Sequence, residues 1–109
     1  MKQDHRDVAA MLKTLDASNP GARRRATVKK LVAALELHMK IEEDRVYPLV
    51  QALLDEQSAE EATVEHRLAR TGLATLQELE DQPGFGAAVA MLTAGIKHHV
   101  KEEEQEIFP

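Results

Sequence analysis

The amino-acid sequence repeats itself, and this repeat constrains the fold more than any other feature. A shift of 61 residues brings the two halves into register without a gap at the main positions. The matching positions are Asp4-His5-Arg6 with Glu65-His66-Arg67, Leu12 and Leu15 with Leu73 and Leu76, Leu31 and Leu35 with Leu92 and Ile96, His38-x-x-x-Glu42-Glu43 with His99-x-x-x-Glu103-Glu104, and Val46-Tyr47-Pro48 with Ile107-Phe108-Pro109. The chain is therefore expected to fold as two copies of one unit, related by a pseudo-two-fold axis.

Three breaks divide the chain into segments at about residues 4–17, 20–55, 58–80 and 83–107. The breaks are Ser18-Asn19-Pro20-Gly21, residues 55–57 followed by a capping box at Ser58-Ala59-Glu60-Glu61, and Asp81-Gln82-Pro83-Gly84. Apolar residues recur at helical spacing in each segment, and aromatic residues make up only 3% of the chain, which favours helices over strands. The sequence thus predicts a single domain over residues 1–109, an all-α, up-down-up-down antiparallel four-helix bundle.

Every predicted helix places one histidine on the apolar face that should point inward. The four faces consist of His5, Val8, Leu12 and Leu15; Val28, Leu31, Leu35, His38, Glu42 and Leu49; Ala62, His66, Ala69, Leu73 and Leu76; and Phe85, Leu92, Ile96, His99, Glu103 and Ile107. Met11, Met39 and Met91 are predicted to fill core space. The charged runs Arg23–Arg25 and Glu102–Glu106 are otherwise predicted to form solvated outer faces.

Four imidazoles and two carboxylates inside a small bundle carry a large desolvation cost unless something neutralises and bonds them. A pair of metal ions does both, whereas no basic residue on an inner face is available to pair with the glutamates. The chain has no cysteine, and ligation by nitrogen and oxygen alone suits iron or manganese better than structural zinc. In the symmetric arrangement one ion is bound by His5 and His38, the other is bound by His66 and His99, and Glu42 and Glu103 bridge them. The spacing leaves other pairings of the histidines open.

The same segments resemble the hemerythrin-like (HHE cation-binding) family over essentially the whole chain. The segments that carry the resemblance are DHRDVAAML, HMKIEEDRVYP, EHRLA and HHVKEEEQEIFP, in this order. The resemblance implies a four-helix bundle around a non-haem centre of two iron ions, oxo- or hydroxo-bridged, with iron ahead of manganese. It further implies that this centre binds or reacts with O2, peroxide or NO. By position it implies six iron ligands, namely His5, His38, Glu42, His66, His99 and Glu103.

The third helix departs from the pattern of oxygen-carrying members, which have an H-x-x-x-H pair there. His66 stands alone, with Ala62 four residues before it and Arg70 four residues after it. A site with fewer protein ligands leaves more open positions, which favours a catalase-like enzyme that decomposes peroxide. The alternatives are a reversible O2 or NO carrier or sensor of the hemerythrin type, and a metal-free or zinc-loaded interaction module.

Three further residues near the predicted centre could ligate metal. Tyr47 and the carboxylates of Glu43 and Glu65 are candidates for an extra ligand or for an outer position beside one. His98 and Glu102 lie about 100° from the inward face, and we expect them at the surface instead.

The remaining features bear on partners and location. A net charge of −5 argues against a nucleic-acid partner. No apolar run approaches the length of a membrane span and the N-terminus lacks a signal-peptide core, so we expect a cytoplasmic protein with a small ligand (O2, H2O2 or NO) as its partner. Because both ends of the chain lie close to the predicted centre, a homodimer is also expected.

Overall fold

The computed structural model describes residues 2–46 and 56–104, and within them the chain forms four helices. They are α1 (Lys2–Asp16), α2 (Ala22–Ile41), α3 (Glu56–Glu78) and α4 (Phe85–Glu102). The described residues contain no β-strand and no helix long and apolar enough to cross a membrane. The all-α prediction is therefore confirmed.

Neighbouring helices run antiparallel, as contacts at both ends of the bundle demonstrate. Asp4 in the first turn of α1 lies 3.6 Å from His38 near the end of α2 (Oδ2 to Nδ1). At the opposite end, Ser18 after α1 accepts a hydrogen bond from Arg24 in the first turn of α2, and Arg24 also donates to the carbonyl of Glu80 after α3. Since α1 also packs against α4 and α3 against α4, the four helices close a ring in the predicted order.

The core consists of the predicted inward faces. Its buried apolar side chains are Val8, Leu12, Leu15, Val28, Leu31, Leu35, Met39, Leu73, Leu76, Phe85, Val89 and Leu92. Leu49 and Ile107 lie outside the described residues. Met91 does not fill the core as predicted, because it is 76% exposed.

Arg24 corrects the prediction that the basic run is a solvated face. It is only 8% exposed and fixes the end of the bundle opposite the histidines. Its guanidinium donates to the side chain and carbonyl of Ser18 and to the carbonyl of Glu80, and it lies 4.0 Å above the ring centre of Phe85. Carbonyls that would otherwise be left unpaired at these helix ends thus receive donors.

The predicted helix starts are only partly correct. Gly21, the last residue of the predicted break, is the N-cap of α2, whereas the capping box predicted at Ser58 lies inside α3, which begins at Glu56. The N-cap of α4 is Gly84, at the predicted break, with a φ of 95°. That left-handed conformation is costly for any residue with a Cβ atom, which explains why glycine stands there.

Two π-helical turns were not predicted. Helix α2 continues as a π-helical turn over Glu42–Val46, and residues 103–104 after α4 adopt the same conformation. The two turns begin at positions that the repeat makes equivalent. Such turns interrupt α-helices frequently at functional sites, and here each begins at an inward-facing glutamate.

Candidate metal centre

Six polar side chains converge inside the bundle, at the end where α1 begins and α2 ends. Helices α1 and α3 each supply one histidine, while α2 and α4 each supply a histidine followed four residues later by a glutamate: His5, His66, His38 with Glu42, and His99 with Glu103. Both glutamates are fully buried. The helical spacing of four residues points the two members of each His–Glu pair in similar directions.

The six side chains form two groups of three. In each group the candidate ligand atoms lie within 4.8 Å of one another: His5, His38 and Glu103 in one group, and His66, His99 and Glu42 in the other. The histidine pairs are those of the symmetric arrangement, with ring centres 5.2 Å and 5.1 Å apart. Each group takes its glutamate from the other hairpin, so the two hairpins exchange carboxylates.

The glutamate carboxylates lie between the two groups. Oε1 of Glu42 lies 3.3 Å and 3.5 Å from the Nε2 atoms of His66 and His99, and 3.2 Å from that of His38 in the other group. Oε1 of Glu103 lies 2.6 Å from Nε2 of His99 and 4.0 Å from that of His38. Each carboxylate therefore reaches both groups, as a bridging ligand must.

The buried polar atoms fit a metal centre better than a network of hydrogen bonds. Nε2 of His5, His38 and His99 and both carboxylate oxygens of Glu103 are buried without a hydrogen-bond partner among the described residues. Several such atoms in one place are costly, because each one loses its hydration without replacement. Cations placed among them would coordinate these nitrogen and oxygen atoms and remove that cost.

The charges of the centre are strongly coupled. The carboxylates of Glu103 and Glu42 raise the pKa of His38 to about 10 against the effect of burial. Burial lowers the pKa of His99, yet Glu103 and Glu42 outweigh it and raise that pKa to about 11. Burial likewise opposes ionisation of Glu42, but its histidine neighbours hold the pKa of this carboxyl well below its ordinary value. Without cations, protons on His38 and His99 thus offset buried negative charge.

Each of the four histidines contacts a further carboxylate through Nδ1, on the side away from the centre. We call these four residues the outer carboxylates: Glu104 lies 3.1 Å from His5, Asp4 3.6 Å from His38, Glu43 2.7 Å from His66, and Glu65 in a short contact with His99. A carboxylate that accepts from Nδ1–H fixes the tautomer of a histidine and leaves Nε2 free to bind a metal. Glu104, Glu43 and Glu65 are within hydrogen-bond distance of Nδ1 and favour an inward Nε2 on His5, His66 and His99, whereas Asp4 lies farther from His38.

The outer carboxylates obey the repeat, because Asp4 corresponds to Glu65 and Glu43 to Glu104. Of the four, the sequence analysis singled out Glu43 and Glu65 as an extra ligand or an outer partner, and the structure places both in contact with Nδ1 atoms. It missed Asp4 and treated Glu104 as part of a solvated run. The signal that could have found them is their place in the chain, since each directly precedes or follows an inward-facing residue.

The other candidate residues lie away from the centre or outside the described part of the chain. Tyr47 lies outside the described residues, so its role as an extra ligand stays a prediction. His98 lies at the surface with a 65% exposed side chain, 2.9 Å from Glu102 and 3.7 Å from Glu65. These three residues form a surface cluster beside the centre.

A cavity of about 850 Å³ borders the centre between α3 and α4. All four histidines line one part of it. The rest is mainly apolar, with Leu35, Met39, Ala69, Leu92 and Ile96 among its lining residues. A small molecule can thus approach the histidines along an apolar wall.

Comparison with known proteins agrees with this geometry. The family model described as the hemerythrin HHE cation-binding domain matches residues 1–109, the full length of the chain. No curated protein and no solved structure matched the chain.

Proposed function

Because the chain belongs to the hemerythrin HHE cation-binding domain family, we propose that it holds two iron ions and decomposes hydrogen peroxide in a catalase-like reaction. The residues that would hold the ions are the six of the centre, with Glu42 and Glu103 bridging. The observation that carries the proposal is the donor set of each group, two imidazoles and one carboxylate. This is the ligand set of non-haem iron sites that keep open positions for a substrate.

The open positions distinguish peroxide decomposition from guarded O2 carriage. Neither Ala62 nor Arg70 supplies the additional histidine of the oxygen carriers: Ala62 is buried as alanine, and the Arg70 guanidinium binds Glu36 and Glu43. The centre thus lacks the additional histidine of the oxygen carriers, which would leave a position where peroxide could bind a metal ion.

The balanced reaction converts two H2O2 into two H2O and one O2. Bound iron supplies the redox chemistry, in which one H2O2 gives up two electrons and two protons and the second H2O2 takes them up. The protein contributes orientation and exclusion of water. Glu104, Glu43 and Glu65 lie within hydrogen-bond distance of the Nδ1 atoms of His5, His66 and His99 and would orient these rings, and Glu42 and Glu103 are fully buried.

A matched pair of variants, His66→Ala and His98→Ala, tests this proposal. The first removes the imidazole of one of the six proposed ligands, and the second removes the imidazole of a surface histidine. We expect His66→Ala to lower the iron content from two to about one per chain and to reduce peroxide turnover by about tenfold or more. His98→Ala should retain both. Metal analysis and an oxygen electrode after addition of peroxide measure the two effects.

Two results would contradict the proposal. Equal iron content in the two variants would show that His66 is not a ligand. Two irons per chain without release of O2 from peroxide would exclude the catalase-like reaction while leaving the metal centre intact.

The apolar cavity favours a second candidate function, reversible binding of O2 or NO. These diatomic molecules are less polar than hydrogen peroxide, so a wall of side chains such as Leu92 and Ile96 suits them. This function predicts a change in the visible spectrum of the reduced, iron-loaded protein that reverses when the gas is removed. Irreversible oxidation by the first exposure to O2 would argue against it.

A further inference from the structure

The outer carboxylates Glu43 and Glu104 occupy equivalent positions but have different neighbours. Arg70 donates from Nη1 and Nη2 to the two oxygens of Glu43, each at 3.0 Å. It also donates from Nε to Glu36 at 3.3 Å. A bidentate arginine–carboxylate contact is among the stronger charge-assisted interactions, so the charge of Glu43 is largely neutralised.

The first hairpin has no counterpart to this contact. The repeat places Ala9 at the position of Arg70 and Lys97 at that of Glu36. Glu104 contacts Nδ1 of His5, and no arginine or lysine of residues 2–46 and 56–104 forms an ion pair with it. The guanidinium therefore neutralises an outer carboxylate in one half of the repeated site and not in the other.

Exposure does not explain a difference between the two carboxylates, because the side chains of Glu43 and Glu104 are each 38% exposed. What differs is the net charge beside the histidine: a nearly neutral Arg70–Glu43 pair behind His66, and an unneutralised carboxylate behind His5. The contact of Glu43 with His66 is also shorter, at 2.7 Å against 3.1 Å. A shorter contact couples His66 more closely to Glu43 but does not restore the charge that Arg70 neutralises.

We propose that Arg70, acting through Glu43 and His66, makes the two metal positions electronically inequivalent. The ion held by Glu42, His66 and His99 then has a higher reduction potential than the ion held by His5, His38 and Glu103. This inference rests on the proposed pair of iron ions. Arg70 is a positioning residue here, since it touches neither a ligand atom nor the substrate.

The physical cause is the charge transmitted through the imidazole. A carboxylate that accepts from Nδ1–H makes Nε2 a more basic ligand, which stabilises the more oxidised metal ion. Arg70 weakens that effect at His66 and adds a positive charge on the same side, and both changes favour the reduced ion. The first electron is therefore expected to reside on the ion beside His66.

A redox titration of the iron-loaded protein, followed by electron paramagnetic resonance of its half-reduced form, tests the proposal. We expect two separate one-electron steps in the natural chain. Arg70→Leu should bring the steps closer together, and Arg70→Lys should restore part of the separation, because lysine supplies the charge without the two-pronged contact. Arg67→Leu is the matched control, since Arg67 is an exposed arginine on the same helix beside His66.

Ala9→Arg provides the reciprocal test and leaves the Arg70 contact untouched. Ala9 is exposed on α1, at the position that the repeat makes equivalent to Arg70. A guanidinium added there should neutralise Glu104, raise the lower of the two potentials and narrow the separation as well. This variant keeps the test informative if Arg70→Leu folds poorly.

Nuclear magnetic resonance of the zinc-loaded protein supplies a readout that does not depend on iron. In Arg70→Leu the Nδ1 proton of His66 should move downfield, while that of His5 should stay in place. Two irons with an unchanged separation in both Arg70→Leu and Ala9→Arg would overturn this inference and leave the proposed function standing. Failure of the natural chain to bind two irons would instead overturn the proposed function.

Discussion

Arg24 shows how much a single residue can matter at the end of the bundle opposite the metal centre. Its guanidinium makes three hydrogen bonds and packs over Phe85 while almost fully buried. We expect Arg24→Ala to lower the free energy of unfolding by about 2–4 kcal/mol, because carbonyl groups of two helix ends lose their donors. Arg23→Ala, at an exposed position of the same run, should stay within about 0.5 kcal/mol.

Chemical denaturation of both variants measures this difference. A cost for Arg24→Ala no larger than for Arg23→Ala would mean that the buried contacts contribute nothing net to stability. Iron content should be unchanged in both variants, since Arg24 lies at the far end of the bundle from the histidines.

At the residue scale the sequence predicted which side chains point inward better than it predicted what they meet. The helical period placed His38 and Glu42 on one face, and the structure brings them to the centre. It could not predict that Glu104 would contact His5, because that contact joins α1 to the segment after α4. Arg24 was missed for the same reason, since its partners come from other elements of the chain.

The next scale is the helix, and α4 offers a test of how it begins. Gly84 has a φ of 95° at the N-cap, whereas Gly86 lies within the helix with nothing within 4 Å of a Cβ atom built there. Gly84→Ala should destabilise the protein by about 1 kcal/mol or more, because alanine is strained in the left-handed region. Gly86→Ala should instead stabilise it by about 0.5–1 kcal/mol through helix propensity.

Thermal unfolding of the two alanine variants measures these opposite shifts. Shifts of the same sign would contradict the assigned start of α4.

Helices as units were predicted well, and their irregular ends were not. The breaks in the chain, such as the one at Gly84, and the helical spacing of apolar residues predicted four helices in the order that the structure has. The π-helical turns at Glu42–Val46 and after α4 were missed, because a hydrophobic period of 3.6 residues carries no sign of one inserted residue. The cap predicted at Ser58 is wrong, because α3 begins at Glu56.

For the whole molecule the decisive quantity is the stability with and without metal. Without the proposed ions, Glu42 and Glu103 lie fully buried near the imidazoles of His38 and His99, whose pKa values they raise. We expect the unfolding midpoint of the metal-free protein to lie more than about 10 °C below that of the iron-loaded protein. Coincident midpoints would contradict a buried metal pair.

The stability of the metal-free protein should depend on pH. The pKa values of His38 and His99 rise on folding from 6.5 to about 10 and about 11. Their contribution to the metal-free protein is therefore complete below pH 6.5 and is lost as the pH rises toward those values. As the pH is raised from about 7 to about 10, the thermal unfolding midpoint of the metal-free protein should decrease, while that of the iron-loaded protein should change less. Thermal scans of both proteins in matched buffers measure the difference. A flat metal-free curve would show that these histidines do not carry the protons.

Each group of the centre combines two histidines of one hairpin with the glutamate of the other, so both hairpins are needed to build it. One hairpin alone contains two histidines and one glutamate, and each glutamate lies near histidines of both hairpins. Two identical hairpins could therefore assemble such a centre as a symmetric pair of chains. Joining the two hairpins in one chain allows equivalent positions to differ, as Arg70 and Ala9 do.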